Sequence, residues 1–500
     1  MNTTAGYARL YVALNIAFSV VALAGGMLGH GSEPRVVYLC VLMALCSAPL
    51  LWMRELNGRY TLLSVFGAVY FMYYGSADAA ALLTGGGQYG NSRGILDAAE
   101  FAVLLGCALV ILGYRASLAL RPRPDSMREA RDWPMPLIVI IGVIFWAFGT
   151  LSDWYWQIHY SNTPTLGHSD NNMLLLLVIA RMLQPLGTIM VGYALVLTRS
   201  RPLIVLAIAM VALQAVVGFI GNAKEIAMRA IIIFGVSGFL VRGHVPKAWG
   251  IAALAFVLFA FPIFQAYRAE VIGLRGISRS AAASDIVRSF KQAWGAKEKV
   301  EKRINSNYEV PSFLERTALK PTMTMMLEKT GKGRVEFQEG YTLGLYFTGF
   351  VPRFLWPDKP DSSVGKIVNS EFQVSEDPDT YISSTHLGEL YWNFGWPGIV
   401  VGMFALGLLL GFINARCDLS ERVSLTRLLI LVTTIYATIV RFEGSIALEY
   451  IVFTRSLAMI GLLHLLCARV PARMPDRAAT PDPAATRAPM PLIHAPQLLR

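Results

Sequence analysis

Charge is what this sequence lacks. Asp, Glu, Lys and Arg make up only 15% of 500 residues, against 55% hydrophobic residues. So small a charged fraction cannot coat a soluble helical domain of this size, and that class is excluded. Cysteine is scarce too: of five, Cys40, Cys46, Cys107 and Cys467 fall in apolar runs and Cys417 in a polar connector. No disulfide framework or cysteine-based metal cluster can be built from that distribution. Internal repeats of the kind that build inverted-repeat transporters are missing as well. The net charge of +11 is no nucleic-acid signature. Much of the excess sits in short connectors and the tail, where positive charge sets membrane topology.

What is present is a series of apolar blocks at near-regular intervals. They cover 8–28, 35–53, 60–84, 97–120, 133–151, 172–197, 202–220, 227–241, 248–267, 397–414, 425–442 and 446–468. Most are long enough to cross a hydrocarbon core of about 30 Å as a helix. The 227–241 block is the shortest and carries Arg229 near its start. The pattern predicts an all-α polytopic membrane protein of about 12 transmembrane helices. It places nine spans in 1–267, a large extracytoplasmic loop in 268–396, three spans in 397–468 and a tail in 469–500. That tail is rich in Pro, Ala and Arg, a composition that cannot bury enough apolar surface to fold alone.

Arginine sets the orientation. Alternate connectors carry Arg54 and Arg59, Arg115 to Arg131, Arg199 and Arg201, Arg242 and Lys247, and Arg416 to Arg427. The intervening connectors hold little beyond Arg35, Arg93 and Lys224. Both termini are therefore expected in the cytoplasm, with the first block a retained helix.

The chemistry is to be sought on the outer face. Loop 268–396 is nearly balanced in charge, and its first half, with Asp285–Arg303, reads as a solvated amphipathic helix. Glu339–Trp356 is mostly apolar and too short for a crossing, which suits a re-entrant or interfacial segment. It leads into Pro352-Arg353-Phe354-Leu355-Trp356-Pro357-Asp358-Lys359-Pro360. Two cations beside aromatics in a proline-stiffened turn suit a phosphate at the membrane surface, or an interfacial anchor. In Ser383–Pro397, a helix would put His386, Glu389 and Asn393 on one face. An imidazole and a carboxylate in apolar surroundings make a general base, while capping is the simpler role for the same stripe.

A third group is cationic. Arg181 lies about 15 Å into its span at helical rise, and Arg455 is similarly deep. Arg229, Arg268, Arg441 and Lys224 mark outer ends, where snorkelling also accounts for a cation. Deep arginines are costly and face a cavity or a partner, so their convergence implies an anionic ligand. Trp154, in the run Asp153-Trp154-Tyr155-Trp156, could stack on a sugar or serve as an aromatic-belt residue. Asp377-Pro378-Asp379 reads as a turn rather than as the metal-binding pair of a nucleotide-sugar enzyme.

The two motifs at 352–360 and at 388–398, Gly-Glu-Leu-Tyr-Trp-Asn-Phe-Gly-Trp-Pro-Gly, resemble those of the Wzy-type O-antigen and exopolysaccharide repeat-unit polymerases of bacterial envelopes. The resemblance implies a GT-C-like architecture in the bacterial inner membrane, with a large periplasmic loop. It implies transfer of a growing glycan from undecaprenyl diphosphate onto a lipid-linked repeat unit at the periplasmic face. No metal or other cofactor is implied, and a chain-length-regulating copolymerase is an implied partner. Arg353 and Lys359 become diphosphate contacts, joined by Lys224, Arg229, Arg181, Arg441 and Arg455. Glu389 becomes the base, with His386 the competing choice; Trp356, Tyr391, Asn393 and Trp154 become sugar contacts. An O-antigen ligase breaks the same bond, and a lipid-linked oligosaccharide flippase would also gather cations around a diphosphate.

Overall fold

A computed structural model describes residues 3–28, 32–56, 62–84, 93–120, 133–159, 171–220, 224–242, 250–251, 317–352, 355–356, 358–360, 363–376, 380–417 and 424–467. The expected span 248–267, the amphipathic helix at 285–303, the Asp377-Pro378-Asp379 turn and the tail lie wholly or almost wholly outside those residues.

The described residues are nearly all helical. In order the helices are α1 (Thr3–Met27), α2 (Glu33–Ser47), α3 (Leu62–Tyr74), α4 (Ser76–Thr84), α5 (Arg93–Ala119), α6 (Met135–His159), α7 (Asn171–Thr198), α8 (Arg201–Ile220) and α9 (Lys224–Arg242). After the loop come α10 (Lys320–Lys329), α11 (Tyr341–Gly349), α12 (Val364–Phe372), α13 (His386–Arg416), α14 (Leu425–Thr434) and α15 (Ile446–Cys467). A 3-10 helix, Ala48–Leu56, follows α2, and a π-helical turn, Ile435–Val440, extends α14.

Eight of the described helices are long and apolar enough to cross a membrane. Their outward faces are apolar as well: Ile16, Val20 and Leu23 of α1 and Val205, Ile208 and Val216 of α8 are exposed. A helix with apolar side chains all round needs hydrocarbon as its solvent. This is an all-α membrane protein.

Several blocks differ in detail from the expected spans. The block 60–84 is broken at Gly75 into α3 and α4. The helix expected over 397–414 starts eleven residues earlier, at His386, and runs on through Pro397. It survives the proline because Gly395 takes φ 65°, ψ −147°, so the chain kinks where the pyrrolidine nitrogen has no hydrogen to give. The block 425–442 is the short α14 with its π turn. Helix α9 carries Lys224, Glu225, Arg229 and Arg242.

Helices α5 and α13 cross closely in the core. A side chain at Gly407 would come within 2.2 Å of the Val110 carbonyl, and one at Gly113 within 2.1 Å of the Phe404 carbonyl. The missing Cβ atoms let the two backbones touch, the usual way apolar helices associate where no hydrophobic drive is available. The largest core cluster gathers α2, α3, α5, α10, α12, α13 and the start of α15; a second joins α6, α7, α9 and α14.

Where the long loop returns, charge ties it down. Lys320 at the start of α10 forms ion pairs with Asp78 of α4 and, at 3.0 Å, with Glu100 of α5; Arg35 of α2 reaches Asp78 at 2.7 Å. The Lys320 ammonium also lies 5.0 Å from the Tyr38 ring centre. Lys320 and Asp78 are both buried. Replacing Lys320 with Ala removes the ammonium from Glu100 and leaves Asp78 to Arg35 alone, and should cost about 3 kcal/mol of stability. Thermal unfolding of the detergent-solubilised protein measures it; an unchanged midpoint would show that the ion pairs are not what holds the loop.

Candidate functional site

The site forms where the starts of α9, α13 and α15 meet the turn that follows the π helix. Two helix starts are strapped together by backbone. Thr385 and His386 donate their N–H groups to the carbonyls of Glu443, at 3.1 Å, and Phe442, at 3.0 Å; the Ser383 hydroxyl also donates to the Glu443 carbonyl. Thr385, at φ 56°, caps α13 by accepting from the Gly388 N–H at 2.9 Å.

Glu389, in the first turn of α13, is fully buried. Its Oε2 accepts from the Ser384 hydroxyl at 3.1 Å and from the Ile446 N–H at 2.9 Å. Ile446 is the first residue of α15, so Glu389 caps a neighbouring helix whose own first N–H groups would otherwise be unsatisfied. Asn393 sits one turn further along, also buried, donating to Thr342 Oγ1 at 2.7 Å and to the Glu389 carbonyl at 2.8 Å. It ties α13 to α11.

His386 is placed differently. Its ring is buried between Phe442 and Tyr450, with centres 4.6 and 5.8 Å away, and its Nε2 has no hydrogen-bond partner. It borders a cavity of about 350 Å³ walled by Leu343 and Tyr346 of α11, Leu390 and Met403 of α13, and Ile446 and Tyr450 of α15. His386 contributes the one imidazole among the lining side chains. An unsatisfied buried nitrogen is costly, and it calls for a partner supplied from the cavity.

Cations run away from this corner as an alternating chain. Arg441 Nε lies 2.7 Å from Glu449 Oε2, and its Nη1 lies 3.3 Å from Glu225 Oε1. Arg229 Nε reaches the same Glu225 oxygen at 3.1 Å, and its Nη1 reaches Asp153 Oδ2 at 3.0 Å. Arg181 closes the chain on Asp153 Oδ1 at 2.6 Å and stacks over Trp156 at 4.8 Å. The Tyr436 hydroxyl, on the π-helical turn, donates to Glu225 Oε1 and lies 3.2 Å from Arg229 Nε.

The structure thus joins Arg181, Arg229 and Arg441 and brings them to the corner that holds His386 and Glu389. In the structure each of these three guanidinium groups is met by a carboxylate of the chain itself. Arg455 stands apart, donating to the Gly349 carbonyl at 2.6 Å. Lys359 donates to the Val351 carbonyl at 2.9 Å and closes the turn after α11, on which Leu355 and Trp356 are exposed. Tyr391 packs against Phe337 and Trp396, away from the cavity wall formed by its neighbour Leu390. Trp154 is exposed on α6. Arg353 and the Lys224 side chain lie outside the described residues.

Sequence reasoning missed Asp153, Glu225, Tyr436 and Glu449 as site residues. A signal existed: Glu225 and Glu449 sit in the first turns of α9 and α15, where a carboxylate complements the helix dipole. Among the described residues, no group of three or more His, Cys, Asp or Glu side chains is arranged to hold a metal ion. Comparison with family models, with curated proteins and with solved structures returned no match.

Asp153 is fully buried between two arginines on other helices. Asp153→Ala should therefore destabilise the bundle by about 3 kcal/mol, since Arg181 loses its carboxylate and Arg229 is left with Glu225 alone. The unfolding midpoint in detergent reads this out, and a shift no larger than for Trp154→Ala would refute it.

Proposed function

We propose that the protein is a lipid-diphosphate glycosyltransferase, a polysaccharide polymerase of the Wzy type acting at the periplasmic face of the bacterial inner membrane. The observation that carries the reading is the meeting of an apolar cavity, an imidazole with a free Nε2, and cations a few residues away at Arg441. A polyprenyl chain needs an apolar wall; a diphosphate leaving group needs fixed positive charge; an acceptor hydroxyl needs a base. Twelve spans with both termini in the cytoplasm, and a GT-C-like architecture, belong to the same proposal.

His386 is the better placed of the two candidate bases. His386 lines the cavity and Glu389 does not; Glu389, whose Oε1 is likewise without a hydrogen-bond partner, uses its Oε2 to hold α15 against α13 through Ser384 and Ile446. In the reaction the acceptor oxygen forms its bond to the anomeric carbon as that carbon's bond to the diphosphate oxygen breaks. The acceptor proton passes to His386 Nε2, and the bonding electrons leave with the diphosphate. Positive charge aimed at that oxygen stabilises the transition state more than the ground state.

The test is complementation of a deletion strain. His386→Ala should lower polymer formation by about 10²–10⁴-fold, the usual contribution of a general base, with single lipid-linked repeat units accumulating on the periplasmic side. Arg441→Ala should give the same pattern. Full-length polymer from His386→Ala at normal membrane abundance would remove the catalytic assignment. Trapping of repeat units on the cytoplasmic side in the deletion strain would replace a polymerase with a flippase.

A further inference from the structure

One oxygen in the site is unusually crowded. Glu225 Oε1 receives Arg229 Nε at 3.1 Å, Arg441 Nη1 at 3.3 Å and the Tyr436 hydroxyl. Three donors from three different parts of the chain aim at a single point: mid-helix on α9, the π-helical turn, and the residue that ends it. That is how a protein holds one oxygen of a phosphoryl group, with charge-assisted donors fixed around it in advance. Here the occupant is a side chain of the protein.

The two sides of this cradle differ in a way that bears on exchange. Arg229 is 7% exposed and stays anchored through Nη1 to Asp153 and, at 3.4 Å, to Gln184, whatever occupies its Nε. Arg441 keeps Glu449 on its own Nε. Neither arginine is stranded when Glu225 departs. Glu225 itself is 43% exposed and is the second residue of α9, so its carboxylate can turn into water without unwinding the helix. Arg441 is 32% exposed as well. The π helix is a further sign, since such bulges re-aim side chains and favour functional sites, and this one positions Tyr436.

We infer that Arg229, Tyr436 and Arg441 form an oxyanion cradle for a phosphoryl oxygen, and that Glu225 is a tethered stand-in which the incoming anion displaces. The inference rests on the diphosphate-donor reading above and adds to it a gate. With no lipid diphosphate present, Glu225 satisfies the cations and keeps other anions out. When the donor arrives, a doubly anionic head group displaces a single carboxylate, and Glu225 is released to solvent. Affinity for the donor is thereby reduced by the fraction of time that Glu225 holds the cradle.

The experiment uses the full chain in detergent and inorganic diphosphate as the probe, with binding read by calorimetry. Glu225→Ala should bind diphosphate about tenfold more tightly than wild type, as expected if the carboxylate fills the cradle about nine-tenths of the time. Removing a negative charge would favour any anion, so Glu225→Asp is the deciding variant. It keeps the charge and shortens the reach by one methylene, so displacement predicts tighter binding and simple Coulomb relief predicts none. Glu443→Gln removes an exposed carboxylate from the same corner, and should leave the affinity within about twofold, given how weakly exposed charges act through water. Arg441→Ala should abolish the binding.

Wild-type binding that Arg441→Ala removes, but that Glu225→Asp does not strengthen, would overturn the gate and leave the diphosphate site standing. No diphosphate binding by wild type or by either Glu225 variant, with all three folded by their unfolding midpoints, would overturn the cradle together with the donor reading.

Discussion

The corner where α9, α13 and α15 begin depends on charge neutralised in pairs within an apolar bundle. Arg181, Asp153, Arg229, Glu225, Arg441 and Glu449 alternate in sign along one chain of contacts. Isolated, a buried guanidinium or carboxylate would be expelled from such surroundings; alternated, the desolvation penalty of each of the four interior groups is offset by two neighbours, and that of each end group by one. The chain also does mechanical work. It links α6, α7, α9, the turn after the π helix and α15, elements that apolar packing alone would let slide, since lipid is as good a solvent for Leu as another helix is.

Beside that chain, Glu389 turns an unsatisfied helix start into a joint. The first N–H groups of α15 have no partners within their own helix, and α13 supplies a carboxylate from its first turn. Both helix starts are then fixed by the strap between residues 383–386 and 442–443. One product of this joint is the position of His386, buried between two rings with its Nε2 free. A rigid support around an unsatisfied group is the arrangement expected of a preorganised site, because reorganisation is then avoided when the reaction occurs.

The apolar cavity and the charged chain belong to one device in this reading. The cavity suits a hydrocarbon tail, the arginines suit the anionic head, and His386 stands at the boundary between the two. Glu225 gives the device two states, one closed on its own carboxylate and one open to a ligand oxygen. Such a contact would suit a membrane protein, where a permanently vacant cationic pocket would collect phospholipid head groups.

The apolar runs in the sequence were enough to establish an all-α membrane protein, because hydropathy over about 20 residues is local information and lipid reads it directly. The deep placement of Arg181 and the grouping of His386, Glu389 and Asn393 on one helix were legible for the same reason, being matters of helical rise and period. Who partners whom was not. Arg229 meets Asp153 across 76 positions and Tyr436 across 207, and no spacing rule reports such pairs. That Arg181, Arg229 and Arg441 each meet a carboxylate of the chain could not be read from spacing either. A carboxylate on a helix face looks the same in sequence whether it faces a cavity or the start of another helix, as Glu389 does. Only the crossing of α13 and α15 decided that, because a side chain's partner is set by which helices touch, and helix contacts depend on the whole bundle.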